Sequence, residues 1–338
     1  MKAFRLALPV LLGMAVTLPL SLRAQAAAGS LLVLSKTDHT LSIVNPRTLV
    51  VVARMPAGND PHEVTASPDG HFAYVSNYGF GEYHTLTRID LKAHTTLGTI
   101  DTGALRGPHG LAYAGGKVWF TAEVAKAVGR FDPATNTIDC ILGTGQDRTH
   151  MIEVWPDQRH IFTSNVNSGT ISILDRAAVP IPPGGPVGAP PRLDWHETVV
   201  TVGRGSEGFD ISPDHRELWV ANAGDGTLSV IDIAAKKVVA TLHVNVPGAN
   251  RLRFTLDGRR VIVSAGPEVV VLDAATRAVL KRIPVGHGSG GVLIAPDGRT
   301  AYIAVSPENA VAVLDLTTLT VTGHIHAGGN PDGMAWMP

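Results

Sequence analysis

The chain has 338 residues, with 28 Lys and Arg against 29 Asp and Glu and 44% apolar residues. That near-neutral balance argues against a general nucleic-acid binder, which needs a basic surface to neutralise phosphates. The single cysteine, Cys140, excludes an internal disulfide.

Residues 1–26 read as an export leader. Lys2 and Arg5 give a basic start, Leu6 to Leu20 is an apolar run, and Ala24-Gln25-Ala26 is an A-x-A cleavage site, with Ala26-Ala27-Ala28 as a near alternative. Pro9 and Pro19 interrupt the run, which is short for a membrane anchor. The expectation is a periplasmic or secreted protein with no membrane span after cleavage. Loss of Lys2, Arg5 and Arg23 with the leader makes the mature chain more acidic.

From Leu31 the chain becomes a series of short apolar runs between turns. Leu31-Leu32-Val33-Leu34, Leu41-Ser42-Ile43-Val44 and Leu49 to Met55 come first. Each run has the composition of a strand bounded by turn residues. A turn-and-strand unit then recurs. Ser67-Pro68-Asp69-Gly70 precedes Tyr74-Val75-Ser76-Asn77, and Ser212-Pro213-Asp214 precedes Trp219-Val220-Ala221-Asn222. Ala295-Pro296-Asp297-Gly298 precedes Tyr302, with looser copies at Trp155-Pro156-Asp157 and Leu256-Asp257-Gly258. A second set of turns starts at Asn45, Asp90, Asp132, Asp175, Asp232, Asp273 and Asp315. An Asx side chain there closes the turn on its own backbone.

One further strand precedes each copy, near His62, His109, His150, Glu207, Asn250, Gly290 and Asp332, at spacings of 47, 41, 57, 43, 40 and 42 residues. Seven four-stranded units of this period predict an all-β chain, a seven-bladed β-propeller of antiparallel blades. The long spacing contains a Pro/Gly-rich insertion at about 177–195, with Pro180 to Pro191 expected to stay out of the sheet. Three strands open the chain without an innermost partner, and a lone innermost strand from Asp332 ends it. The C-terminal strand is therefore expected to complete the first blade, making residues 27–338 one domain.

Tyr74-Val75-Ser76-Asn77 and Trp219-Val220-Ala221-Asn222 make the repeats similar to the YVTN-family β-propellers, a YncE-like exported propeller in particular. The resemblance runs through residues 31–338. It implies the propeller fold and leaves function open, because that family includes binding, structural and enzyme-associated members. One blade, with Pro108-His109-Gly110-Leu111 and Val118-Trp119-Phe120-Thr121-Ala122-Glu123, is similar to streptogramin lyase blades. The Gly-His and Trp-Asp pairs of WD40 blades are missing.

In a four-stranded meander the loops entering the innermost strands share a face with the loops between second and third strands. His62, His109, His150 and Glu207 then lie on one rim at the channel mouth, as a candidate site for a divalent metal, zinc or another first-row ion. Asn250 and Asp332 share that rim, with Asn77, Glu123, Asn165 and Asn222 further out; Asn77, Asn165, Asn222, Asn250 and Asp332, with Tyr83 and His84 of the aromatic loop Asn77 to His84, are candidate ligand contacts. The alternative for each polar residue is satisfaction of backbone groups at the strand entrance. Glu207 and Glu123 are the candidate general bases. Arg106, Arg148, Arg204 and Arg251 lie near the rim, while Cys140 is expected buried and His324 and His326 on an outer strand. No serine-hydrolase elbow, zincin, P-loop or haem-attachment motif is present, so no haem or nucleotide is expected. These features point to a monomeric, non-catalytic binding or scaffold propeller for a small molecule, a metal or an exported protein. The alternative is a metal-dependent hydrolase or lyase, lactonase-like or streptogramin-lyase-like, on the same face.

Overall fold

The computed structural model describes Met1, residues 29–179 and residues 192–338. The leader expected over 1–26 and the centre of the insertion fall outside the described residues, Met1 apart. Seven four-stranded antiparallel blades form a closed ring, with essentially no helix among the described residues. The innermost strands are Pro331–Met337, Pro61–Ala66, Pro108–Ala114, Thr149–Val154, Ser206–Ile211, Ala249–Phe254 and Ser289–Ile294, belonging to blades one to seven in that order. The predicted closure holds. Pro331–Met337 pairs with Ser30–Ser35, setting Leu31 opposite Trp336 and Val33 opposite Met334. Among the described residues, no helix is long and apolar enough to cross a membrane.

Burial explains the strand composition. The two middle strands of a blade lie between neighbouring blades, so both faces are apolar; Leu31, Leu32, Val33 and Leu34 are all fully buried. The outermost strands cover only one face and alternate, as along Thr137–Gly143. Cys140 sits on that strand and is half-buried, where full burial was expected. Its position on the half-covered face is the reason.

Six of the seven Asx turns form as predicted, with backbone amides two or three residues on donating to Asn45, Asp90, Asp132, Asp232, Asp273 and Asp315. Asp175 is the exception. There the strand runs on as Thr170–Val179 against Arg192–Thr201, ten residues each. Asp175 instead takes His160 and Lys236 as charge partners. The flanks of the insertion, 177–179 and 192–195, are thus paired strand, lengthening the outer hairpin of the fourth blade.

Every innermost strand carries a register shift at its second and third residues. Such a bulge re-aims side chains out of the ladder. The second residues are Asp332, His62, His109, His150, Glu207, Asn250 and Gly290 in ring order, all on the same face. Four of the third residues are glycines, Gly110, Gly208, Gly291 and Gly333. A Cβ on each would stand 2.3–2.6 Å from a carbonyl oxygen of the next innermost strand. These glycines let adjacent backbones touch around the axis. Gly333→Ala, whose Cβ would meet His62 O at 2.3 Å and Glu63 Cα at 2.8 Å, is expected to lower unfolding free energy by about 1–3 kcal/mol. Denaturant midpoints check this against Gly143→Ala, whose added methyl meets open space and should change little.

Candidate functional site

The bulges bring the predicted histidines together on one side of the mouth. His109 and His150 rings lie 3.9 Å apart, and His62 stands 5.1 Å from His109. Both His109 and His150 are only 2% exposed. His150 is gripped from two directions. Its Nδ1 bonds Glu123 Oε1. Its Nε2 lies 2.9 Å from Glu207 Oε2, off the line of a well-aligned hydrogen bond. Glu123 is fixed in turn by Tyr78, whose hydroxyl donates to Oε2 at 2.5 Å.

Glu123 was expected further out than the rim. It follows the strand Lys117–Ala122, where its amide bonds Gly107 O, and its side chain folds inward to 5% exposure. His109, Glu123 and His150 consequently form a group whose ligating atoms all lie within 4.8 Å of one another. His62 and Glu207, nominated with His109 and His150, lie beside this group rather than in it. His62 Nδ1 faces the Asp60 carbonyl at 3.2 Å, and Glu207 meets His150 at Nε2, on the side of the ring away from Glu123, with Arg148 and Arg251 beyond it.

The mouth is charge-matched. Arg148 sits 3.4 Å from Glu123 and 3.5 Å from Glu207. Arg251, in the sixth blade, reaches across the axis to Glu63 in the second, with Nη2 2.8 Å from Oε1, and stays 3.9 Å from Glu207. Lys36 pairs with Asp332 at 2.8 Å. Glu63, Lys36 and Tyr78 were not foreseen as site residues. Tyr78 adjoins the repeat's terminal Asn77 and Glu63 adjoins His62, yet the sequence gives no sign of which cross-ring partner each meets.

Protonation follows from these contacts. Burial pushes His109 well below the ordinary imidazole range, helped by the charges of His150, His62 and the arginines, so it is neutral. Burial would do the same to His150, but Glu123 and Glu207 outweigh it and raise its pKa, favouring the imidazolium. Burial alone would raise Glu207; its contact with His150, then the charges of His150, Arg251 and Arg148, bring it down to about 2. Glu123 is lowered by the same imidazolium, by Tyr78 and by Arg148, against its burial. Among the described residues, nothing hydrogen-bonds the buried His109 Nδ1.

The other nominated residues divide. Asn77, Asn165 and Asn222 are buried and held by neighbouring backbone and hydroxyl groups. Asn77 donates to Ala57 O, and the other two donate to paired hydroxyls, Thr170 with Ser172 and Thr227 with Ser229. Asn250 Oδ1 and Asp332 Oδ1 border the space that a side chain at Gly290 would enter. Tyr83 packs against Gly79 beside the mouth, and His84 pairs with Asp101 at 2.8 Å on the surface. Arg106 and Arg204 pair outward with Glu82 and Asp225. His324 and His326 are exposed at the end of the outer strand Thr320–Ile325.

Comparison with known proteins agrees with the fold. The family described as YNCE-like beta-propeller matches residues 3–132. Antigen Lp49 of Leptospira interrogans is 24% identical over 248 residues, 66% of this chain; the chain spans about half the length of that curated relative, 50%. A Desulfotomaculum acetoxidans protein of unknown function superposes with TM-score 0.73 at 13% identity, over 91% of this chain and 99% of its own. A Bacteroides fragilis protein provisionally named a 6-phosphogluconolactonase gives 0.72 at 16%, over 92% and 98%. The YncE-like resemblance read from the repeats is borne out, and at these identities the solved structures speak to fold alone.

The two buried histidines should leave opposite marks on stability. His150 has a raised folded pKa, so its contribution is full below the unfolded value near 6.5 and is lost as pH rises through the folded one. His109 has a lowered folded pKa, so its contribution is present above about 6.5 and is lost as pH falls. Thermal unfolding from about pH 5 to 9 should show the deficit of His150→Gln shrinking with pH, and that of His109→Gln growing. Parallel curves would contradict these assignments.

Proposed function

We propose that this is an exported binding propeller whose ligand at the channel mouth is a divalent first-row metal ion held by His109, Glu123 and His150. The observation that carries this is His109 Nδ1, buried, on a neutral imidazole, and without a partner. An unmet buried nitrogen costs roughly 1–3 kcal/mol, and a metal ion removes that cost. Neutral imidazole, carboxylate and a second imidazole are a donor set suited to zinc and its neighbours. Such ions bind donors at about 2.0–2.2 Å, so the 4.8 Å spread of this group must contract on binding. His150 must also give up its proton, so ion and proton compete for the site. Tyr78, by holding the far oxygen of Glu123, keeps the near one aimed at the histidines.

Binding is favoured over hydrolysis or lysis by the state of the two carboxylates. A general base works best with a pKa near the operating pH. Glu207 lies at about 2 and Glu123 is lowered, and both are committed to His150 and Arg148. The lactonase-like and lyase-like alternatives rest on fold likeness, which does not carry function.

Zinc and cobalt(II) titrations at about pH 6 and pH 8 test the reading. One equivalent is expected, at least about tenfold tighter at the higher pH, with cobalt giving the visible bands of a low-symmetry site. His109→Ala should lose at least about tenfold in affinity. Absence of saturable binding at either pH, or unchanged binding in His109→Ala, would overturn it. For export, we propose cleavage at the leader's A-x-A site. The intact mass of protein recovered from the periplasm should start at Ala27, or at Gly29 if the alternative site is used; a chain retaining Met1 would refute cleavage.

A further inference from the structure

The channel has a second end, beyond the Arg251–Glu63 ion pair. There the innermost strands of the third to sixth blades border a cavity of about 300 Å³. Its apolar wall is Leu111, Ala112, Met151, Ile152, Val154 and Phe209. Three charged residues break that wall: Glu153, Asp210 and Arg253. They occupy the fifth position of three consecutive innermost strands, where the remaining blades carry Thr65, Ala112, Leu293 and Ala335. The cluster is therefore a departure from the repeat, confined to one arc of the channel.

Two of the three are matched to each other. Asp210 Oδ2 accepts from Phe254 N at 2.7 Å, and Oδ1 accepts from Arg253 Nη1 at 3.2 Å. Arg253 Nη1 also donates to Phe209 O at 3.2 Å. Glu153 has no such arrangement; among the described residues neither a hydrogen bond nor an ion pair meets its carboxyl. Burial, with the charge of Asp210 added, pushes Glu153 up to about 7 against the pull of Arg253, and burial raises Asp210 as well. On the flanking strands, Lys117 is turned to Asp132 and His160 to Asp175, and Tyr113 is the other titratable group. At the far end of the same strands, His109, His150, Glu207 and Arg251 belong to the upper mouth.

Whenever Glu153 ionises, this cavity holds one negative charge more than its arginine can balance. A ligand with a single positive charge on a small apolar body supplies both the missing charge and the surface that the wall covers. We propose that this end of the channel binds a small organic ammonium ion, its alkyl part against Leu111, Ile152 and Phe209 and its ammonium group on Glu153. On binding, the O–H bond of the Glu153 carboxyl breaks, the proton leaves to solvent, and a carboxylate–ammonium ion pair forms. The volume lies at the lower end of small-molecule sites, about 300–1,000 Å³, which limits the ligand to a few carbons. The site is separate from the metal reading of the upper mouth.

Calorimetric titration of the exported chain with n-butylammonium chloride tests this, in two buffers of different ionisation enthalpy at about pH 6. One site is expected, with close to one proton released per ligand and affinity rising with pH up to about 8. Glu153→Gln should bind at least about tenfold more weakly, while zinc binding at the upper mouth is unchanged. No saturable binding, binding without proton release, or equal affinity in Glu153→Gln would each overturn the proposal. If Glu153→Gln does not fold, the pH dependence of the unaltered chain decides: a flat profile overturns it and a rising one supports it.

Discussion

The bulge at the head of each innermost strand is the constraint on which the rest of the molecule depends. An unbroken ladder would send the second residue of the strand into the packing between blades. The register shift turns it toward the axis instead, seven times over. The glycines that follow in four of the blades allow backbone to meet backbone, which draws those seven positions onto one narrow rim. A chemically mixed ring then follows from a geometrically uniform one.

Crowding makes the charges at that rim mutually dependent. Arg251 is buried to 6% exposure and is tolerable only because Glu63, Asp332 and Glu207 surround it. The carboxylates of Glu123 and Glu207 likewise outweigh burial at His150 and hold its pKa above the ordinary imidazole value. His109, its ring 3.9 Å from that of His150, is kept neutral by burial first and by the neighbouring His150 charge second, and so keeps a nitrogen free to bind. Arg251 and Glu63 meet across the axis, and the residues lining the lower cavity are distinct from those of the upper mouth. The Glu153 cavity differs from the mouth in kind, pairing an apolar wall with one unmatched carboxyl.

The fold was legible because it repeats. Alternation, turn chemistry and a period near 42 residues all agree along the chain, and the lone final strand announced how the ring closes. The misreading at Asp175 has a local origin. The residue resembles its six counterparts, but the Pro-rich insertion beyond it lets the hairpin run on, and Asp175 becomes a charge partner instead of a turn. Cys140 was misplaced because an apolar run does not say which of its faces is covered.

The candidate site was legible only in part. By itself the sequence determined the blade count, the closure and the alignment of His62, His109, His150, Glu207, Asn250, Gly290 and Asp332, because these depend on spacing within a repeat. Tertiary structure decided which of them meet. Glu123 joined His109 and His150 while His62 turned to Asp60, and Arg251 found Glu63 three blades away. Protonation was decided there too, since it depends on burial and on charges brought from distant blades. A repeat places residues at equivalent heights on a ring, but the reach and rotamer of each side chain, set by its non-equivalent neighbours, fix the contacts across it.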